Sequence, residues 1–226
     1  MKRIHALALL VLAGAAAPLA HAQSPKTVVG RLRKPDATYE DWRPVLALGE
    51  QAIPHLKALL ADPSETVKAA AAVLLYRLGE RNALDQLDRL LDSKDPDARK
   101  EAAEALRAFT GGPVPLGPYP DEAARQAALS SWREWWKKNK SECLKREPGS
   151  WLYGKIVRVD GNLAVVTLSE RHGARNGMEL SARRDGKSVC SLRLVMSSPI
   201  GSVAEVIPLS VRTPPRPGDV VFWIKP

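Results

Sequence analysis

A 31-residue repeat runs through the first half of the chain. Ile53, Leu56, Leu59 and Leu60 return as Leu84, Leu87, Leu90 and Leu91, and Val67, Ala71, Leu75 and Leu78 return as Ala98, Ala102, Leu106 and Phe109. Apolar positions that keep one register across two units define a supersecondary element that buries its face only against its neighbours. Inside each unit the apolar residues fall three and four apart, which is helical spacing. The prediction is a repeated helical hairpin, residues 51–60 then 64–78, and 81–91 then 96–109. Asp62-Pro63 and Asp95-Pro96 mark the turns, because proline suits a first helical turn and an acidic residue suits its start. Gly79 and Gly111 stand where helices should end.

The flanks read as incomplete units. Residues 38–48 predict a short helix with Trp42, Val45 and Leu46 on one stripe, the second half of a truncated first repeat. Prolines and glycines break the register over residues 111–120, and a helix resumes at Asp121. There Arg125, Ala128, Trp132 and Trp135 fall on the template of Arg99, Ala102, Leu106 and Phe109. Trp132, Trp135 and Trp136 make an apolar face at i, i+3 and i+4, expected to be a cap or a docking face for the next domain. An aromatic ligand site is the sharper alternative.

The segment AIPHLKALLADPSETVKAAAAVLLYRLGE resembles a HEAT repeat of the short type found in proteins similar to phycobilisome lyases. The features that carry the resemblance are an apolar first helix, Asp-Pro at the turn, a Val-Lys or Ala-Arg pair, an Ala-rich second helix and a closing Leu-Gly. It covers residues 38–140 and implies a short α-solenoid in which second helices line the concave face. Lyase activity is not carried over, since the N-terminus directs this chain away from the compartment where those enzymes work.

From Trp151 the pattern changes from helical to alternating. The runs GKIVRV, LAVVTL, GMELSARR, KSVCSLRLVM, GSVAEVIPL and GDVVFWI are separated by Asp160-Gly161-Asn162, ERHGARN, Asp185-Gly186, Ser198-Pro199 and a proline-rich loop. Asp-Gly between alternating runs is a strong hairpin signal. Five or six short strands should close into a small barrel, because an open sheet of this size would expose its edges. The stretch VTLSERHGARNGMELSARRDG and the final PGDVV weakly resemble small C-terminal barrels of bacterial envelope and flagellar-assembly proteins. The expected class is therefore α+β multidomain, a short α-solenoid of HEAT-like hairpins followed by a small antiparallel β-barrel. Its divisions are a signal peptide at 1–22, a tether at 23–37, the solenoid at 38–147 and the barrel at 148–226.

Residues 1–22 start with Lys2 and Arg3, continue through an apolar run and end on Ala20-His21-Ala22, the form of a secretory signal cut before Gln23. The expectation is a periplasmic or secreted protein with no membrane span once the signal is removed. Net charge is +9 for the whole chain, and the basic excess gathers at the C-terminal end. Residues 23–147 carry 21 Lys and Arg against 19 Asp and Glu, and residues 148–226 carry 11 against 6. Nucleic acid is a poor partner for an exported chain, whereas a protein, peptide or anionic polymer of the envelope is a plausible one. Cys143 and Cys190 would invite a disulfide in that compartment. Against this, Cys190 shares a strand face with Leu192, Leu194 and Met196 and reads equally as a buried apolar residue.

Catalytic motifs are missing from the sequence. There is no G-x-S-x-G, no phosphate-cradling glycine loop and no H-E-x-x-H, and neither His55 nor His172 has a second ligand at metal spacing, so no cofactor or metal is expected. Carboxylates such as Glu101 and Glu104 read as solvated helix faces, and an enzyme with an unrecognised carboxylate pair is the second alternative. Two in-register rows on the second helices could bind: Lys68, Arg99 and Arg125, and Tyr76, Arg107 and Arg133. The first row has a structural alternative, bonding to an Asp of an inter-helix turn such as Asp62 or Asp92. Arg183 and Arg184 beside the Asp185-Gly186 tip are where an anionic glycan would reach the barrel. The functional expectation is a non-catalytic exported scaffold that binds a protein or peptide through the helical surface, with polymer binding by the barrel as the first alternative.

Overall fold

The computed structural model describes residues 24–34, 37, 39–148 and 151–224. The signal sequence expected at 1–22 and its cut before Gln23 lie outside these residues, as does Gly149 at the expected domain boundary. Two cores form. One gathers the helices and the other fills the barrel.

The helical half runs α1 (Pro25–Gly30), a 3-10 turn (Arg31–Arg33), α2 (Tyr39–Ala47), a 3-10 turn (Gly49–Ala52), α3 (Ile53–Leu59), α4 (Glu65–Arg77), α5 (Ala83–Leu90), α6 (Pro96–Thr110) and α7 (Glu122–Lys145). The helices α3 and α4, then α5 and α6, are the two repeated hairpins, and both apolar sets meet in one core. Their starts are fixed by side chains 31 residues apart. Ser64 Oγ accepts the Val67 N–H at 3.3 Å, and Asp95 Oδ1 accepts the N–H groups of Asp97 and Ala98 at 2.9 and 3.3 Å. Asp62 is therefore not the cap of α4. Buried in the turn, it accepts the Ser64 N–H at 3.1 Å and the Arg33 guanidinium at 2.6 Å. Ser93 occupies the same place one repeat later, accepting the Asp95 N–H at 3.0 Å and bonding Glu65 of α4. Each turn is thus tied to the unit before it.

The expected tether is corrected by α1 and the turn after it. Val28, Val29 and Leu32 are buried in the helical core, and Ser24 caps the start at Thr27 N. Three apolar side chains at i, i+1 and i+4 give even a short helix a face to bury.

At the other end, Trp132 is fully buried and its indole N–H donates to Asp88 at 2.7 Å, while Trp136 is also buried. Both stack on the helical core as a cap, and Trp135 remains half-buried beside them. Close approach here depends on Gly112: a Cβ at that position would lie 2.6 Å from the rings of both Trp132 and Trp135. The preceding Gly111 ends α6 in the left-handed region at φ 73° and lies against the Tyr153 ring.

The barrel is built from β1 (Trp151–Asp160), β2 (Leu163–Val166), β3 (Glu179–Arg184), β4 (Lys187–Ser198), β5 (Gly201–Val206) and β6 (Val220–Ile224), in the closed antiparallel order β1-β2-β5-β4-β3-β6. Cys190, Leu192 and Leu194 alternate into its interior as the pattern predicts. Met196 does not. A register shift between Leu194 and Met196 changes the facing, and Met196 is left 58% exposed. Cys143 belongs to the helical core and Cys190 to the barrel core, both as free thiols, which favours the buried apolar reading over the possible bridge. Among the described residues no helix is long and apolar enough to cross a membrane.

Candidate functional site

Helices and barrel meet along α6, which packs on β1, and along the 3-10 turn Glu170–His172 between β2 and β3, which is wedged against α4 and α6. Arg77 of α4 donates to the carbonyls of Glu170 and Arg171 at 3.0 and 3.2 Å, and Arg43 of α2 reaches the Glu170 carboxylate at 3.1 Å. Arg171 projects back into the helices, pairs with Glu101 of α6 at 2.5 Å and lies over the Trp42 ring, 5.5 Å from its centroid. A short loop of the barrel is in this way held by charges from three helices.

Beside this contact runs a groove of about 790 Å³. Its floor is the second-helix face, with Thr66 and Ala70 from α4 and Asp97, Lys100, Glu101 and Glu104 from α6. Its walls are Leu32, Arg33, Lys34 and Ala37 on one side and Pro199-Ile200 of the barrel on the other. Burial raises the Glu101 carboxyl above its ordinary value against the opposing charge of Arg171. The Glu101–Arg171 contact uses one oxygen and one terminal nitrogen, so Glu101 Oε1 and Arg171 Nε are left buried with no hydrogen-bond partner. Buried polar atoms are normally satisfied, so these two, closed off behind the groove wall, are an exception that the single-contact geometry leaves.

The groove continues into a cavity of about 280 Å³, the two sharing Glu104, Pro199 and Ile200. Arg107 of α6, Tyr153 of β1, Val157, Val165 and Leu116 line it together with Ser169 and His172. His172 is 6% exposed and packs edge-on against Phe109 at 5.9 Å. Burial, and after it the charges of Arg77 and Arg171, pull its pKa down to about 3, so the ring is neutral. Nδ1 lies 2.9 Å from Ser169 Oγ, and Nε2 has no partner. Arg107 is half-buried, its guanidinium makes no ion pair among the described residues, and burial lowers its pKa despite nearby Glu104.

The rows expected from the sequence separate in space. Tyr76 is a core residue, 3% exposed, stacked on Phe109 at 4.4 Å, with its hydroxyl pushed up to about 12 by burial, so the expectation of an exposed binding tyrosine is corrected. Arg107 lies in the junction cavity. Arg133 is exposed on α7 and paired with Asp92, away from both. In the other row Arg99 donates to the carbonyls of Ser93 and Lys94 at 2.8 and 3.0 Å, and Arg125 to the Leu91 carbonyl at 2.9 Å and to Glu122. Lys68 lies near Asp62 and Glu65. Arg99 and Arg125 thus hold the turns between helices, the structural alternative for this row, with carbonyls chiefly in place of the expected Asp.

On the barrel, Arg184 forms a two-pronged pair with buried Asp219 at 2.7 and 2.8 Å and also donates to the Pro214 carbonyl. Burial pushes the Asp219 carboxyl up, and Arg184 and the Arg216 N–H outweigh it and hold the pKa below the ordinary value. Arg184 is accordingly a clamp on the proline-rich loop, while Arg183 stays exposed with its guanidinium over Phe222, 4.9 Å from the ring centre. The sequence shows neither the pairing of Glu101 with Arg171, 70 residues apart, nor the meeting of Arg107 with Tyr153 and His172, since residues so far apart share no local pattern.

The family model of HEAT repeats matches residues 53–124, which are α3 to α6, the following loop and the start of α7. The two central hairpins are therefore HEAT-like repeats within a helical half that is joined to a closed antiparallel barrel. HEAT repeats generally mediate protein–protein interaction, and that is the class of partner this architecture supports. No curated protein matches the chain.

Proposed function

We propose that this protein is an exported, non-catalytic scaffold that holds an extended segment of a partner protein in the groove between the second helices and the barrel. The carrying observation is that second helices and barrel together build one groove of about 790 Å³ lined by charges of both signs. Each residue of an extended chain offers one N–H and one carbonyl. The Thr66 hydroxyl can accept the first, and the Lys100 ammonium can donate to the second. The surrounding Lys100, Asp97 and Glu104 add charges of both signs, which favours register over raw affinity. The barrel supplies one wall and Arg171 itself, so neither half makes the site alone. Export rests on the signal-like residues 1–22, and an envelope assembly is the setting that follows from it.

A photo-crosslinking amino acid placed at Thr66 or Asp97 in the groove, with Lys187 at the far barrel tip as control, tests this in cells making the full chain. The expected product is a protein adduct from the two groove positions only, recovered from the envelope fraction on a chain beginning at Gln23 and lost when Lys100→Glu is added. Equal adducts from Lys187, or adducts insensitive to Lys100→Glu, remove the groove from consideration.

A further inference from the structure

The cavity at the end of the groove differs from it in chemistry. Val157 and Leu116 present exposed apolar surface at 55% and 43%, Val165 adds to the wall, and Arg107 lines it together with His172, whose Nε2 is buried and unpartnered. The tautomer of His172 follows from its neighbour. Ser169 is buried and its hydroxyl has no other acceptor among the described residues, so it donates to Nδ1 and leaves the single ring hydrogen on Nε2. The cavity therefore holds a cation without an ion pair among the described residues, within apolar walls, and a neutral N–H donor not spent on the protein lies buried in the His172 ring behind them.

We propose that this cavity receives the C-terminal carboxylate of the bound peptide together with its apolar last side chain, a specificity that rests on the peptide-binding reading above. Arginine pairs with a carboxylate through two parallel N–H groups, and a desolvated guanidinium without a counter-ion gains most from one. Glu104, one turn before Arg107 and common to groove and cavity, selects among anions. It repels a phosphate dianion strongly and a single carboxylate less, and it can accept the N–H of the residue that bears the carboxylate. Size points the same way. About 280 Å³ takes one aliphatic side chain and its carboxylate, whereas a single helical turn, about 5.4 Å long and 10 Å across, exceeds it. Continuity through Pro199 and Ile200 lets the preceding residues run back along α6.

The test uses decapeptides ending in Leu or Val, each synthesised as free acid and as amide, titrated into the chain beginning at Gln23. The acids are expected to bind at least tenfold more tightly than the amides. That preference should vanish in Arg107→Met, which keeps the apolar stem, and persist in Arg133→Ala. The ¹⁵N resonance of His172 Nε2 should move on adding acid and not amide, a readout that serves even where Arg107→Met fails to fold. Acid and amide binding alike, with Lys100→Glu weakening both, overturns the terminus and leaves the groove standing. Binding by no peptide removes both. Hexanoate binding as tightly as the acids overturns the peptide source, and an unmoved His172 resonance at saturation overturns the cavity.

Discussion

The second helices of the two repeats, α4 and α6, share one template and do different work. Ala71 and Leu75 of α4 and Ala102 and Leu106 of α6 are sealed in the helical core to the same degree. On the neighbouring strip the two diverge: Ala70, Val73 and Tyr76 of α4 stand 31 residues before Glu101, Glu104 and Arg107 of α6. Val73 and Tyr76 are buried, and their counterparts line the groove and the cavity. The repeated positions build the stack, and the unrepeated ones line the groove and cavity proposed for recognition. A binding residue in such an array is better sought where the repeat is broken than where it is kept.

The largest blow to the comparison should come from the positions the helices share. Leu106→Asp and Leu75→Asp each bury an unpaired carboxylate, and each should cost about 4 kcal/mol or more. Equal loss of helical signal and melting temperature in the two variants checks this, and a large difference between them would break the equivalence of the two cores.

An intermediate effect is expected at the strip where they differ. Arg171→Ala leaves Glu101 without its counter-charge. At neutral pH the loss should be about 2 to 3 kcal/mol, the low side for a broken buried pair, because Arg171 is 30% exposed. Glu101 already has a raised pKa, and losing Arg171 raises it further, so the folded variant holds a proton to higher pH than the unfolded chain. Its penalty is fully present above the folded pKa and shrinks as pH falls through it. Denaturant midpoints of parent and variant should therefore converge on acidification, and a constant gap would show that Glu101 is not the group exposed by the change.

Smallest is Arg133→Ala, which removes an exposed pair with Asp92. About 0.5 kcal/mol or less is expected, measured as a melting temperature nearly that of the parent.

Much of the architecture was legible because it is periodic. Helical spacing placed the hairpins, the residues 31 apart placed their stacking, and Asp160-Gly161 and Asp185-Gly186 between alternating runs placed two barrel hairpins. The segment Pro25–Arg33 was read as a tether because it is too short for two helical periods, and its three apolar residues gain meaning only from the core that receives them. Face assignments failed where a local event overrode the period, as with Met196 after its bulge. The candidate site was the least legible part. Arg107 was singled out, but in a row with Tyr76 and Arg133 that the packing dissolves. Glu101 read as a solvated carboxylate, because nothing near it in sequence announces that Arg171 will arrive from the barrel.

Cys143 and Cys190 give the two halves one concealed thiol each, 2% and 3% exposed and held protonated by burial. A thiol reagent can reach either sulfur only when its own core opens. The two alkylation rates are thus internal clocks for the separate breathing of solenoid and barrel. Should the clocks run together, the clasp of Arg171, Arg77 and Glu170 makes the molecule open as one body; should they run apart, each half keeps its own time.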